Sequence, residues 1–166
     1  MVAQLGASAA AARAHEELFS YWAAQRRSGR LPSRADISPE GFKRLLPTVS
    51  LIDVIHADDG TIDYRLRLAG TGLYSVFGRE ITGQRLSDVY GQTACDYWRR
   101  ELDGVVASGR PAVGSHSMAW RGASHLTTLW LRLPLASDGE RVDMILGYDA
   151  VLGLQGERAI SGIRAA

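Results

Sequence analysis

The sequence contains one cysteine, one lysine and no asparagine among its 166 residues. Cys95 alone cannot form an internal disulfide, and one thiol cannot build a zinc or iron–sulfur site of the multi-cysteine kind. A lone free thiol is compatible with a reducing compartment. We therefore expect a cytoplasmic protein that folds without disulfides.

A charge excess of either sign is also missing. The 19 basic residues, of which only Lys43 is a lysine, balance 18 acidic residues and leave a formal net charge of +1. Such a chain has no long-range field that would gather phosphates, so we expect neither nucleic acid nor an anionic membrane as a partner. No apolar run approaches the ~18 to 20 residues that a membrane helix needs. The stretch from Met1 to Ala14 lacks the apolar segment of a signal peptide, so we expect no membrane insertion.

Hydrophobic periodicity and turn signals divide the chain into helices and strands. Ala9 to Arg27 predict an amphipathic helix, and a second, short helix is expected to end near Pro47. The spacing Thr93-x-x-Asp96 resembles a capping box and predicts a longer helix that stops at Gly109. Short helical turns are expected between residues 70 and 91. Five apolar runs predict strands, at 49–56, 62–69, 112–120, 125–135 and 142–151.

The turn positions predict which strand residues share a face of the sheet. A two-residue turn at Asp59-Gly60 puts Asp53 on the inward face of the first hairpin, together with Tyr64. Tight turns near Gly122 and at Asp138-Gly139 define one face that we assign to the core and pocket, under the longer helix; it carries His116, Met118, Trp120, Leu129, Leu131 and Tyr148. The opposite face carries Leu126, Trp130, Arg132, Ile145 and Gly147. We expect the N-terminal helix, from this chain or a partner, to cover that apolar face through Leu18, Tyr21 and Trp22.

Five short strings carry a family resemblance, in this order: Tyr21-Trp22, Gly29 to Ile37, Leu45-Leu46-Pro47, Tyr64 to Thr71, and Gly78 to Gly83. Together with the order of strands and helices they resemble the small single-domain bacterial PAS proteins of the fifth PAS family, over roughly Phe19 to Val151. The resemblance implies an α+β fold. Its core is a five-stranded antiparallel sheet with short helices and one longer helix on one face, enclosing a small pocket. It also implies an additional helix that often mediates dimerisation.

The resemblance also sets the expected organisation of the chain. We expect an N-terminal helical extension at 1–47 that dimerises or caps the sheet, a PAS-like domain at 48–152, and a fraying tail at 153–166. Flavin-binding PAS domains carry an Asn-Cys-Arg string, whereas this chain has Ala94-Cys95-Asp96. Haem-binding ones offer a histidine from the longer helix, which has none here. The cofactor is therefore left unknown, and no metal is predicted.

The pocket candidates are one carboxylate and a set of apolar, aromatic and histidine side chains: Asp53, Tyr74, Phe77, Tyr97, Trp98, His116, Met118, Trp120, Leu129, Leu131 and Tyr148. Asp53 would bind a ligand or accept a proton, or it would only pair with a backbone amide or with an arginine of the 79–85 loop. The aromatic side chains would stack on a planar ligand or simply fill the core. His116 and His125 are more typical of hydrogen-bonded residues than of axial ligands.

Three functions remain open. The first is a non-enzymatic sensory module that binds a small molecule, forms a homodimer and signals to a protein partner through rearrangement of the N-terminal helix. The second is a pure interaction module whose pocket is filled by its own side chains. The third is a small enzyme with Asp53 as base and His116 or Tyr97 as acid.

Overall fold

The structure is a computed structural model that describes residues 2–153, with side chains from residue 6 onward. Helix α1 spans Val2–Gln25, and 3-10 turns at Arg34–Asp36 and Pro39–Thr48 lead to β1 (Val49–His56) and β2 (Ile62–Ala69). Next come α2 (Thr71–Phe77), α3 (Leu86–Val89) and α4 (Gln92–Ser108). The last three strands are β3 (Ala112–Met118), β4 (Ala123–Leu135) and β5 (Met144–Gly153). From residue 154 onward the predicted tail lies outside the described residues.

The five strands form one antiparallel sheet in the order β2-β1-β5-β4-β3. The predicted α+β class and five-stranded antiparallel sheet are confirmed. Local signals place several boundaries correctly: β1 and β2 have the predicted ends, and α4 stops at Gly109, whose left-handed φ of 60° suits glycine.

Helices cover both faces of the sheet. Helix α1 buries Leu18 and Trp22 against one face, which we call the α1 face, in a cluster with Leu131, Leu133, Leu135, Leu146 and Tyr148. Helix α4 buries Trp98 and Leu102 against the other face, the α4 face, in a cluster with Ile52, Tyr64, Leu66, Trp130 and Ile145. The prediction that the N-terminal helix covers Leu126, Trp130 and Ile145 is therefore wrong, and the two helices are exchanged relative to it.

The error in the first hairpin comes from one residue in its loop. The Gly60 amide donates to the Ala57 carbonyl, the Ala57 amide donates to Thr61, and Gly60 has a φ of 83°. The loop is thus one residue longer than the predicted two-residue turn, in the manner of a turn followed by a glycine bulge. Asp53 consequently pairs with Arg65 rather than sharing a face with Tyr64.

A similar slip affects the β3–β4 hairpin. A 3-10 turn at Ala119–Arg121 and a register shift between Ser117 and Met118 replace the predicted tight turn. His116 pairs with Thr128, and both therefore share the α4 face with Trp130. Leu129 and Leu131 lie on the opposite side of the strand, because successive side chains alternate between faces.

Candidate functional site

A small cavity lies between the α4 face of the sheet and the helices α2, α3 and α4. The space open to the centre of a water molecule is about 30 Å³, which suffices for about one or two water molecules. Most of its wall is apolar or aromatic, and the polar side chains come from three adjacent strands. The lining residues are Ser50, Ile52, Leu66, Leu73, Val76, Phe77, Ile81, Leu86, Tyr90, Trp98, Leu102, Trp120, Thr128, Arg132, Asp149 and Val151.

The floor of the cavity holds a buried ion pair. The Arg132 side chain is only 4% exposed, and its Nη2 donates to Asp149 Oδ1 at 2.9 Å. Its Nη1 donates to the carbonyl oxygens of Leu131 and Tyr148 at 2.9 and 3.2 Å. An arginine in this position requires such partners, because an unpaired buried charge costs several kcal/mol.

Gly147 makes room for the Arg132 guanidinium. It is the cross-strand neighbour of both Arg132 on β4 and Ser50 on β1. A Cβ atom on Gly147 would lie 2.4 Å from Ser50 Oγ and 3.2 Å from Arg132 Nη1. Because Gly147 has no side chain, the Arg132 side chain can lie across β5 in the middle of the sheet and reach Asp149.

Aromatic rings form the cavity wall opposite the sheet. The Arg132 guanidinium carbon lies 4.7 Å from the ring centroid of Trp98, in cation–π contact distance. The ring centroid of Tyr90 lies 5.9 Å from that of Trp98 and 5.0 Å from that of Trp120. The ring centroids of Phe77 and Trp120 are 5.4 Å apart. Burial, with a smaller contribution from the Asp149 carboxylate, raises the pKa of Tyr90 well above its usual range. Tyr90 is thus a neutral hydroxyl throughout the physiological pH range.

Two buried N–H donors of the cavity residues have no acceptor among the described residues. They are Arg132 Nε and Trp98 Nε1, and both are fully shielded from solvent. Nearly all buried donors in native proteins are satisfied. Arg132 and Trp98, which both line the cavity, therefore keep hydrogen-bonding capacity that their present neighbours do not use.

The structure brings only three of the predicted pocket residues to this cavity, namely Phe77, Trp98 and Trp120. Tyr74 is 56% exposed on α2, and Met118 packs in a separate cluster with Leu73 and Val76. The placement of Leu131 and Tyr148 in the pocket is wrong, because both pack under α1. Leu129 precedes Trp130 and points to the same side as Leu131.

Asp53 is buried, but on the α1 face and away from the cavity. Its carboxylate accepts hydrogen bonds from Arg65 at 2.8 and 3.2 Å, and Arg67 lies 3.5 Å away. Asp53 thus has the arginine partners expected for a structural role. These arginines belong to β2 and not to the 79–85 loop.

Tyr97 and His116 stack on each other with ring centroids 3.9 Å apart. The Tyr97 hydroxyl accepts a hydrogen bond from Trp130 Nε1 at 3.0 Å, and burial lowers the pKa of His116. Both residues belong to the α4 side of the sheet, whereas Asp53 is on the α1 face. The structure thus separates the acid and base groups of the enzyme hypothesis. His125 is exposed at the start of β4.

Sequence reasoning missed the polar residues of the cavity: Ser50, Tyr90, Thr128, Arg132 and Asp149. A usable signal was nevertheless present in Leu131-Arg132-Leu133, because an arginine inside the most apolar strand must either reach solvent or find an acid. Asp149 and Gly147, both on the neighbouring strand, supply the acid and the space.

Strand β5 joins the cavity to helix α1. Asp149 points into the cavity, while its neighbours Tyr148 and Ala150 pack on the α1 side. The His15 ring of α1 meets the Tyr148 ring edge-on at 5.6 Å. A groove of about 380 Å³ runs between α1 and the end of β5, and four alanines of α1 line it. One strand therefore contacts both the cavity and the helix.

Neither a metal-binding cluster nor a membrane-spanning helix is found in the described residues 2–153. Within that range no cluster of three histidine, cysteine or acidic residues is arranged to hold a metal ion. No helix in the same range combines the length and apolarity needed to cross a membrane.

Solved structures that are similar to this chain include the following three. A domain of an HTR-like protein from Haloarcula marismortui is 13% identical, with a TM-score of 0.41 over 60% of this chain and 96% of that chain. A fungal LOV domain photoreceptor is 19% identical, with a TM-score of 0.41 over 63% of this chain and 74% of that one. An RNA-binding light-oxygen-voltage receptor is 16% identical, with a TM-score of 0.43 over 78% of this chain and 35% of that one.

The chain also matches one family model. That model, PAS_5, is described as a PAS domain and matches residues 10–149. No curated protein sequence matches this chain.

Proposed function

We propose that this chain, which belongs to the PAS domain family, is a non-enzymatic sensor that relays occupancy of its cavity to helix α1. PAS domains generally serve as sensory modules, and the arrangement of this cavity supports that role. The observation that carries the proposal is a buried ion pair in a cavity whose lining residues Arg132 and Trp98 each keep an unsatisfied N–H donor, at Nε and Nε1 respectively.

The relay is proposed to run through β5. A molecule in the cavity would contact Asp149 of β5. The preceding residue of the same strand, Tyr148, packs against His15 of α1. A ligand shifts a conformational equilibrium only by its difference in affinity for the two states. We therefore propose that bound and free cavities favour different packings of α1 on the sheet. Residues 1–47 would form the output element, and residues 48–152 would form the sensor.

The output is proposed to be a homodimer that contacts a signalling protein. Phe19 is 43% exposed on α1, beside the buried Trp22, with ring centroids 5.9 Å apart. An exposed aromatic side chain on the helix that packs against β5 is suited to a subunit interface. The single buried thiol, Cys95, supports a cytoplasmic location.

One observation favours a second function. The cavity has room for only about one or two water molecules, and Phe77, Tyr90, Trp98 and Trp120 already fill much of the space beneath the helices. A pure interaction module with a filled pocket would have this appearance.

Native mass spectrometry of the purified full chain, followed by denaturing identification of any released molecule, separates the two functions. A matched pair of variants makes the test specific to the cavity: Thr128→Met fills it, whereas Thr127 is the neighbouring residue and does not line it. We expect a bound molecule in the wild type and in Thr127→Met, and at least a tenfold lower occupancy in Thr128→Met. Hydrogen exchange in α1 should differ between bound and free protein.

A wild-type protein that carries no small molecule, and whose α1 exchange is the same in Thr128→Met as in Thr127→Met, would instead support the interaction module.

A further inference from the structure

We propose that the ligand of the cavity is a small monocarboxylate, which binds Arg132 by taking the place of the Asp149 carboxylate. This inference rests on the proposed function, because it assigns a chemical class to the molecule that the sensor detects. It concerns the ion pair at the floor of the cavity and the two unsatisfied donors beside it.

Charge balance favours exchange over simple addition. The opposite charges of Arg132 and Asp149 cancel. The two side chains are only 4% and 13% exposed, so the pair is also poorly hydrated. Adding an anion to a neutral buried pair would leave one negative charge without a partner, which is costly. If the ligand replaces Asp149, Arg132 remains paired, and the Asp149 side chain, which already has some exposure, can turn toward solvent.

The donor arrangement favours a carboxylate over a single acceptor atom. Arg132 Nη1 is held by two backbone carbonyls, which fixes the guanidinium across β5. Its Nη2 would be released by Asp149, and its Nε is unsatisfied already. These two nitrogens form one edge of the guanidinium, and that edge matches the two oxygens of a carboxylate. The indole of Trp98, which also lines the cavity, keeps a third unsatisfied donor at Nε1.

The available space limits the ligand to a short chain. The existing cavity offers about 30 Å³, and removal of the Asp149 carboxylate from the floor adds a comparable volume. One or two water positions and the three atoms of a displaced carboxylate together make room for about four or five non-hydrogen atoms, which is the size of acetate or propionate. The surrounding Ile52, Phe77 and Trp98 side chains would contact its alkyl end.

If the ligand replaces Asp149, substitutions of the two ion-pair residues should change the carboxylate affinity in opposite directions. Asp149→Asn removes the internal competitor while keeping its shape, so it should tighten carboxylate binding. Arg132→Gln removes the partner of the ligand and should weaken it. A ligand that bound both residues would lose affinity in both variants.

The test titrates acetate and propionate, with acetamide and propionamide as neutral matches, into the full-length protein at constant ionic strength. Binding is followed by the NMR signal of the Trp98 indole N–H, which is assigned from its disappearance in Trp98→Phe. We expect the two carboxylates to shift this signal and the amides not to. Asp149→Asn should lower the carboxylate Kd by about tenfold or more, and Arg132→Gln should raise it by a similar factor, as expected for a charge-assisted pair.

Equal shifts with the amides, or a Kd that rises in Asp149→Asn, would overturn the inference. So would the absence of saturable carboxylate binding in both the wild type and Asp149→Asn. If Arg132→Gln does not fold, the Asp149→Asn result and the comparison with amides decide the question alone. Should another class of molecule co-purify with the chain while carboxylates do not bind, the carboxylate assignment fails and the proposed sensory function stands.

Discussion

Gly147 shows how one missing side chain shapes the site. Its Cα lies in the central strand β5, where a β-branched residue would ordinarily be preferred. Its backbone is not in the left-handed region, so space rather than conformation requires glycine here. The guanidinium of Arg132 and the hydroxyl of Ser50 fill that space.

We expect Gly147→Ala to reduce the free energy of unfolding by about 1 to 3 kcal/mol, because overpacking displaces buried side chains. The new Cβ would lie 3.2 Å from Arg132 Nη1 and closer still to Ser50 Oγ. Urea unfolding measures the change. Gly104→Ala is the control: a Cβ there meets nothing within 4 Å, and the change should stabilise α4 by about 0.5 to 1 kcal/mol. If both variants gain stability, Gly147 is not needed for space.

Among the elements, strand and helix ends were predicted better than strand register. Ends depend on local chemistry, such as the stop of α4 at Gly109, and a single sequence displays that chemistry. Register depends on the number of residues in each loop, and one additional residue at Ala57–Thr61 moved Asp53 to the other face. A register shift of one residue moves every side chain of a strand to the other face of the sheet. The incorrectly predicted pocket residues therefore result from errors in the lengths of two loops.

The grouping of strand residues survived this error in one region. Trp130, Arg132, Ile145 and Gly147 were correctly placed on one common face. The helix assigned to that face was wrong, because the longer helix was predicted to cover the face with Leu129, Leu131 and Tyr148, which left this apolar face to the N-terminal helix. Only the side-chain packing reveals that Asp149 and Trp98 enclose Arg132.

Packing of α1 on the sheet is expected to be sensitive to pH through His15. Burial lowers the pKa of His15, and its Nε2 is buried without an acceptor among the described side chains and backbone. The unfolded chain therefore binds a proton more readily than the folded one, starting near the ordinary histidine value of 6.5. The contribution of neutral His15 to the free energy of unfolding is therefore fully present above that pH. The free energy of unfolding should fall as the pH drops from about 7 toward 5.

His15→Gln should reduce the slope of unfolding free energy against pH in this window, measured by urea unfolding at each pH. Burial also lowers the pKa of His116, so part of the slope should remain. The control variant changes the exposed His125 to glutamine, and His15→Gln should reduce the slope more than this control does. Equal slopes in the wild type and His15→Gln would contradict the assignment.

For the whole molecule, the sheet separates two clusters of buried residues, one under α1 and one under α4. Strand β5 contributes to both, with Tyr148 on one side and Asp149 on the other. This arrangement makes α1 part of the folded core rather than a detachable extension, since Leu18 is fully buried. A signal that leaves through α1 must therefore use its outer surface.

Among the α1 side chains that the structure describes, Phe19 is the exposed large apolar one, and it provides the test of the proposed homodimer. Phe19→Glu should weaken self-association by tenfold or more, because a two-fold interface loses the apolar contact in both subunits and gains two buried charges. Sedimentation equilibrium gives the dimer dissociation constant directly. Tyr74→Glu is the control, since Tyr74 is also exposed, at 56% against 43% for Phe19, but lies on α2. A dimer that persists in Phe19→Glu, or that both variants disrupt equally, would remove α1 from the interface and require the output to leave through another surface.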